Sequence, residues 1–163
     1  VGLTALQDVS FLGEIVDKLL DLRMYYDTYK PILLKVSPDL AHQQLDEIID
    51  YCLRSGIDGI VAGNTTRSRE GIESISKEKI DAIGNGGMSG APLHQKNLEL
   101  VRYVHAKSEG KLPIIGVGGI MTPQQAKAML DAGASLVEIY TGFIYEGPAL
   151  IKNIIKYLET PSK

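Results

Sequence analysis

Two short apolar runs near the carboxyl end of the chain limit the fold most strongly. The run 113–120 contains Gly118 and Gly119, and the run 136–142 contains Thr141 followed by a further glycine. Each run stops where a helical pattern begins, so the backbone N–H groups of two neighbouring strand ends could lie side by side and hold a phosphate. Two ordinary strand-to-helix turns are the alternative, because tight turns also require glycine.

The rest of the chain repeats this alternation of strands and helices. Apolar residues recur at helical spacing from Asp8 to Tyr29, which predicts a helix with one buried face. Four apolar runs follow, each succeeded by a helical pattern, and the strands are predicted at 31–36, 57–62, 112–117 and 135–140. Thr122, Pro123 and Gln125 supply the N-cap, the first-turn proline and the capping-box glutamine of one helix. One helix and then four strand–helix units predict a parallel sheet with right-handed crossovers.

Four such units are half of an eight-stranded barrel. We therefore predict an α/β fold, the C-terminal half of a (β/α)8 TIM barrel with parallel strands, as one domain over residues 1–163. The loops after the last two strands of such barrels frequently bind phosphate. Half a barrel leaves strand edges unpaired, so the missing half is expected upstream or in a second copy, and the isolated chain is not expected to be a stable monomer. An open doubly wound sheet is the alternative, but the usual glycine fingerprint is absent.

Charge and cysteine content exclude several other classes of protein. The net charge is -3 and the basic residues are scattered, so no footprint for nucleic acid is visible. The single cysteine, Cys52, excludes an internal disulfide, and no apolar run approaches the ~20 residues of a membrane span. The three histidines lack metal-ligand spacing. We expect an intracellular protein that binds no nucleic acid and no metal.

Several polar residues lie where a barrel would display them. Lys35 interrupts an apolar strand, and it either points into the barrel mouth, where it could stabilise negative charge on a cofactor, or reaches solvent. Asn64 and Thr65 directly follow the second strand and could face a polar ligand, although local capping of the loop would use the same residues. Tyr140 could pack in the barrel or touch a ligand.

The stretch 63–90 lacks clear periodicity and predicts a long loop that covers a site or is disordered. Gly86, Gly87 and Gly90 close this stretch. They would let the backbone approach a flat ligand, or they would act as the hinge of a lid.

Taken together, the motifs resemble a known family. They occur in a fixed order along nearly the whole chain, at 2–7, 35–40, 57–66, 87–93, 112–120 and 133–143. In this order they resemble the C-terminal half of dihydroorotate dehydrogenase, and most of all its quinone-linked (class 2) branch. The resemblance implies an FMN-binding barrel that oxidises dihydroorotate to orotate in pyrimidine biosynthesis. A base takes a proton from C5 of the substrate, a hydride leaves C6 for flavin N5, and quinone reoxidises the flavin.

The resemblance also implies residue roles. Lys35 would lie near flavin N1 and the C2 carbonyl, and Asn64 and Thr65 would bind the substrate. Gly63 and Gly90 would contact the flavin through their backbone. The phosphate would be held by Gly118, Gly119, Tyr140 and Thr141. The full-length protein could associate peripherally with a membrane through a segment absent here.

Three positions depart from the family pattern. Thr4 stands where relatives often carry arginine, and Gly63 stands where they often carry a hydroxyl residue. The catalytic base, a serine in this branch, belongs upstream of Gly2, so we assign no catalytic residue to this chain and predict that it does not turn over dihydroorotate alone. Two other functions stay open: a non-catalytic phosphate-binding half barrel, and a flavin-independent phosphate-binding TIM-barrel enzyme.

Overall fold

The structure, a computed structural model, describes residues 9–160. The motif at 2–7, including Thr4, and the predicted helix start at Asp8 lie outside the described residues. Within the described range the strands are β1 (Leu33–Val36), β2 (Gly59–Ala62), β3 (Ile114–Val117) and β4 (Leu136–Glu138). The helices there are α1 (Val9–Arg23), α2 (His42–Ser55), α3 (Lys77–Ile83), α4 (His94–Lys107), α5 (Pro123–Asp131), α6 (Thr141–Glu146) and α7 (Pro148–Glu159), and a 3-10 turn (Ala91–Leu93) precedes α4.

The four strands form one parallel sheet in the order β1-β2-β3-β4. Each strand therefore lies beside its neighbour in sequence, and the strand order never reverses as it would at the switch point of a doubly wound sheet. The sheet confirms the predicted α/β half of a (β/α)8 barrel with parallel strands and rejects the doubly wound alternative.

The core lies between the outer face of the sheet and the helices. Side chains alternate across a strand, so one set of positions faces the helices. On that face Val36, Ile60, Ala62 and Ile114 are fully buried. They meet apolar helix residues that recur at helical spacing, among them Leu45, Ile48, Ile49 and Cys52 of α2 and Leu98, Val101 and Val104 of α4. This packing explains why each apolar run needs a helix after it.

Within residues 9–160, no helix packs over the inner face of the sheet. Lys35, Val61, Ile115 and Leu136 share one layer of that face, because they are register partners across the four strands. The exposed fraction of Leu136 is 61%. Among the described residues β1 and β4 each pair on one side only. The sheet is thus an open half barrel, with its inner face and both edges uncovered.

Several predicted boundaries are wrong. Each strand begins one or two residues later than predicted. In two cases the residues before the strand include a proline, Pro31 or Pro113, which has no N–H to donate to a neighbouring strand. β4 ends at Glu138, not at Tyr140, because the backbone of Tyr140 turns out of the extended region (φ -123, ψ -78). α1 ends at Arg23 because the next N–H groups, such as that of Met24, bond three residues back in a tighter turn.

The predicted long loop at 63–90 is ordered locally. It contains α3, which the sequence pattern did not predict. Its two ends meet in an antiparallel bridge between Thr66 and Met88, with N···O distances of 3.1 and 2.7 Å. Arg69 donates to the carbonyl oxygens of Gly84 and Gly86 across the loop at 3.1 and 2.7 Å. Residues 67–87 therefore form a loop whose two ends are joined at its base.

Candidate functional site

A cavity of about 510 Å³ opens at the carboxyl ends of the strands. Every site residue predicted from the sequence lines it: Lys35, Gly63, Asn64, Thr65, Gly90, Gly118, Gly119, Tyr140 and Thr141. These residues come from five separate stretches of the chain, which parallel strands bring to one edge of the sheet. The size is in the usual range for a small-molecule site, roughly 300–1,000 Å³.

Lys35 points into the mouth of the half barrel. Its Nζ donates a hydrogen bond to the carbonyl oxygen of Gly63, at the end of the neighbouring strand. Partial burial lowers the pKa of Lys35, and the carboxylate of Glu138 across the mouth works in the opposite direction. The structure therefore favours the barrel-mouth position over the solvent-facing one.

Gly118 and Gly119 are required for packing. Both have positive φ, 110 and 71. A Cβ at Gly119 would lie less than 3 Å from the backbone nitrogen of His94, and one at Gly118 would lie equally close to the amide of Asn97. The end of β3 thus turns tightly against the start of α4, and this contact requires both glycines whatever ligand the cavity holds.

Asn97 holds the ends of two strands together and was missed by the sequence analysis. It is fully buried, and its Nδ2 donates to the carbonyl oxygens of Val117 at 2.8 Å and Asn64 at 3.5 Å. The available signal was a polar residue at helical spacing among the apolar residues Leu93, Leu100 and Val104. A buried amide is stable only when it is hydrogen-bonded, so its presence there points to backbone groups that need a partner.

The Asn64–Thr65 turn lines the cavity and also caps itself. The Oδ1 of Asn64 accepts from the Thr65 N–H at 2.9 Å, which is the local capping that the sequence left open. Both residues line the cavity as well. Gly87 packs directly against Thr65, where a Cβ would clash with the hydroxyl.

Another part of the cavity wall comes from the segment just before the 3-10 turn and from the end of β4. The Thr141 hydroxyl lies 3.2 Å from that of Ser89, and Gly90 lies under the Thr141 methyl group with φ 88. Tyr140 lines the cavity and is 76% exposed in the half barrel. Ser89 and Glu138 are cavity residues that the sequence analysis did not single out.

Other chemical groups lie outside the cavity. Cys52 is buried in the core, and burial raises its pKa to about 12, as expected for a packed thiol. Residues 9–160 contain no group of three or more His, Cys, Asp or Glu side chains placed to hold a metal ion. Within the same range, none of the helices has the length and apolar character needed to cross a bilayer.

Sequence comparison identifies the family. The profile of dihydroorotate dehydrogenase matches residues 2–161, nearly the whole chain. The chain belongs to the dihydroorotate dehydrogenase family. Its relatives include a dihydroorotate dehydrogenase (quinone) of Christiangramia forsetii, 47% identical over 94% of this chain, and one of Salinispora arenicola, 42% identical over 98%. The matches cover 44% and 45% of those two proteins, so the chain spans less than half of their length.

Solved structures of dihydroorotate dehydrogenase agree with the fold. The Eimeria tenella enzyme in complex with ferulenol matches with a TM-score of 0.86 and 30% sequence identity, over 96% of this chain and 45% of that one. Its ligand-free form matches equally well. The curated relatives named dihydroorotate dehydrogenase (quinone) confirm the resemblance to the quinone-linked branch. The roles of individual residues toward cofactor and substrate stay predictions.

Proposed function

We propose that this chain forms the cofactor-binding half of an FMN-dependent dihydroorotate dehydrogenase, which oxidises dihydroorotate to orotate and passes the electrons to a quinone. One observation carries the proposal: in a member of this family, all the residues expected to bind FMN and substrate line a single cavity. The remainder of the barrel would complete the site. The activity of the whole protein is part of the proposal, because the chain spans less than half of its relatives.

The cavity fits a phosphorylated flavin in its donor groups. Gly118 and Gly119 would offer backbone N–H groups to the phosphate, and so would Tyr140 and Thr141 on the neighbouring strand end. The hydroxyls of Thr141 and Ser89 lie beside them. Glu138 is the one carboxylate among the cavity residues and would repel an anion, and the ammonium of Lys35 balances its charge.

Lys35 and the Asn64–Thr65 turn would face the reacting ends of cofactor and substrate. Bound FMN would supply the two-electron acceptor that this chain's side chains lack. Lys35 would hold its positive charge next to the flavin ring, where a fixed cation stabilises negative charge. The amide of Asn64 and the hydroxyl of Thr65 would donate to the carbonyl and carboxylate oxygens of dihydroorotate.

The phosphate assignment can be tested with two ligands that differ only in that group. Titration of the purified chain with FMN and with riboflavin, followed by flavin fluorescence, should give an FMN affinity at least about tenfold higher, since several N–H donors would meet the phosphate. Equal affinities would contradict the phosphate cradle. Tight binding of inorganic phosphate without any flavin binding would instead favour a flavin-independent phosphate-binding barrel.

The turnover assignment has a separate test. The base that takes the C5 proton is expected in the segment before Gly2, so the purified 163-residue chain with FMN and a soluble quinone should produce no orotate above the uncatalysed rate. Orotate formation is followed by its ultraviolet absorbance. Measurable turnover by this chain alone would show that a group within it acts as the base.

A further inference from the structure

A polar cluster holds the Asn64–Thr65 turn from behind. It consists of Asp39, Thr66 and Lys96, which come from the loop after β1, the loop after β2 and the first turn of α4. One carboxylate oxygen of Asp39 accepts from the Thr66 hydroxyl at 2.6 Å and from Lys96 Nζ at 2.6 Å. Lys96 Nζ also lies 3.2 Å from the Thr66 hydroxyl oxygen. All three side chains therefore bind one another.

The cluster is partly shielded from water and well satisfied. Thr66 is only 2% exposed, and the side chains of Lys96 and Asp39 are 36% and 28% exposed. The second carboxylate oxygen of Asp39 accepts from the N–H of Arg67 at 2.7 Å. Burial by itself raises the pKa of Asp39, but these hydrogen bonds and the charge of Lys96 outweigh it and lower the pKa. Charge-assisted bonds of this kind are stronger than neutral ones.

Thr66 connects the cluster to both sides of the cavity. It directly follows the Asn64–Thr65 turn, and its backbone pairs with Met88, which directly precedes Ser89 and Gly90. Its hydroxyl also accepts from the N–H of Ser68 at 3.0 Å, which fixes the start of the loop that leads to α3. None of the three cluster residues lines the cavity itself. Any effect they have on a ligand must pass through Asn64, Thr65 or Ser89.

We propose that Asp39, Thr66 and Lys96 are positioning residues, which hold the Asn64–Thr65 turn and the Met88–Gly90 segment in the geometry that binds substrate. The consequence for substrate rests on the proposed function, whereas the positioning itself does not. A turn whose conformation is already fixed loses less conformational entropy when a ligand binds. The cluster therefore raises the affinity for the small ligand that would touch Asn64 and Thr65. It has no such effect on flavin groups bound at β3 and β4.

Amide hydrogen exchange of the chain tests the positioning without any ligand. Thr66→Val keeps the shape of the side chain but removes the hydroxyl, and Thr66→Ser restores it. We expect exchange in residues 64–68 and 86–90 to be about tenfold faster in T66V, because a buried hydrogen-bonding centre is lost, and near wild type in T66S. Asp39→Asn should act like T66V, and Asp50→Asn on the exposed face of α2 is the matched control.

The outcomes separate the two proposals. Unchanged exchange in T66V and D39N, or faster exchange spread evenly over β2 and β3, would overturn the positioning role. If wild type binds FMN and orotate, T66V should bind orotate about tenfold more weakly and lose less affinity for FMN, which would meet the positioned segments chiefly at Ser89 and Gly90. Equal orotate affinity would overturn the link to substrate. If wild type binds neither ligand, the proposed function fails while the exchange result still decides the positioning role. Should T66V fail to fold, D39N and T66S carry the same comparison.

Discussion

Lys35 carries its charge where burial disfavours it, at a position that we propose faces the flavin. Burial lowers its pKa, so the folded chain binds this proton less tightly than the unfolded chain. The cost is present at neutral pH and disappears as the pH rises from the folded pKa toward the unfolded value of about 10.4. We expect Lys35→Met to raise the free energy of unfolding at pH 7 while it weakens FMN binding about tenfold.

Urea unfolding and flavin titration measure these two effects in the same samples. Lys35→Arg is the control, because it keeps a cation at the mouth. A loss of both stability and FMN affinity in Lys35→Met would mean that the hydrogen bond to Gly63 matters more than the charge. The difference in free energy of unfolding between wild type and Lys35→Met should shrink as the pH rises toward 10, because Lys35 of the wild type then begins to lose its charge.

Gly119 and Gly56 give a matched pair of glycine substitutions. Both have positive φ, 71 and 80, but a Cβ at Gly56 meets nothing within 4 Å. Gly56→Ala should therefore cost only the left-handed backbone strain, about 1–2 kcal/mol. Gly119→Ala adds a collision with the His94 backbone, which cannot move without shifting α4. We expect it to be the more destabilising by at least about 2 kcal/mol in urea unfolding, and equal costs would contradict the packing described here.

Residue types that break a pattern could be predicted from the sequence, and those that complete a packing contact could not. Lys35 and the glycines at 118 and 119 interrupt apolar runs, so each can be recognised from the sequence alone. Asn97 and Ser89 become site residues only because α4 and the 3-10 turn are brought to the strand ends. Their partners are 20 and 52 residues away in sequence, and no local pattern encodes that distance.

One carboxylate ties the end of α1 to the sheet, in addition to the burial of Leu12 and Val16 in the core. Asp58, directly before β2, accepts from Arg23 Nη1 at 2.8 Å, from the Ile32 N–H at 2.7 Å and from the Tyr29 hydroxyl. Burial raises the pKa of Asp58, but these hydrogen bonds and the charge of Arg23 lower it overall. A carboxylate with a lowered folded pKa contributes stability above its unfolded pKa of about 3.9 and loses it as the pH falls through the folded value.

We therefore expect α1 to loosen from the sheet below about pH 4, before the rest of the core unfolds. Amide exchange of α1 measured at pH 6 and pH 3.5 would show it, and Asp58→Asn should remove most of the difference. The same network explains why the helix predicted to extend to Tyr29 is longer than the observed helix, which ends at Arg23. The helical spacing of apolar residues continues through Tyr25, Tyr26 and Tyr29. The side chains of Arg23 and Tyr29 nevertheless bind Asp58, and residues 24–29 are not helical.

At the scale of the whole chain, the exposed apolar surface lies where a second half barrel would dock. α1 carries an uncovered stripe at helical spacing, and α7 carries another: Phe11, Ile15, Leu19 and Leu22, and Ile151, Ile155 and Leu158. Leu136 adds to it from the inner face. Uncovered apolar stripes of this kind are typical of surfaces that dock against another chain. The strand count predicted this surface from the sequence, since four strands cannot close a barrel.

We expect the purified chain to elute above its 17.7 kDa monomer mass, and to return to a discrete species when the amino-terminal remainder of the Christiangramia forsetii relative is added. More than half of the relative's own length lies outside the match, which is room enough for the further strands and the catalytic base that the proposed function requires. A one-to-one complex by light scattering that forms orotate would support both the docking surface and the proposed reaction. A stable dimer that ignores the added half would favour self-closure instead, in which two copies of this chain complete one barrel. A well-behaved monomer that binds neither partner would contradict the interface altogether, because two bare strand edges and two apolar helix faces should not persist unpaired in water.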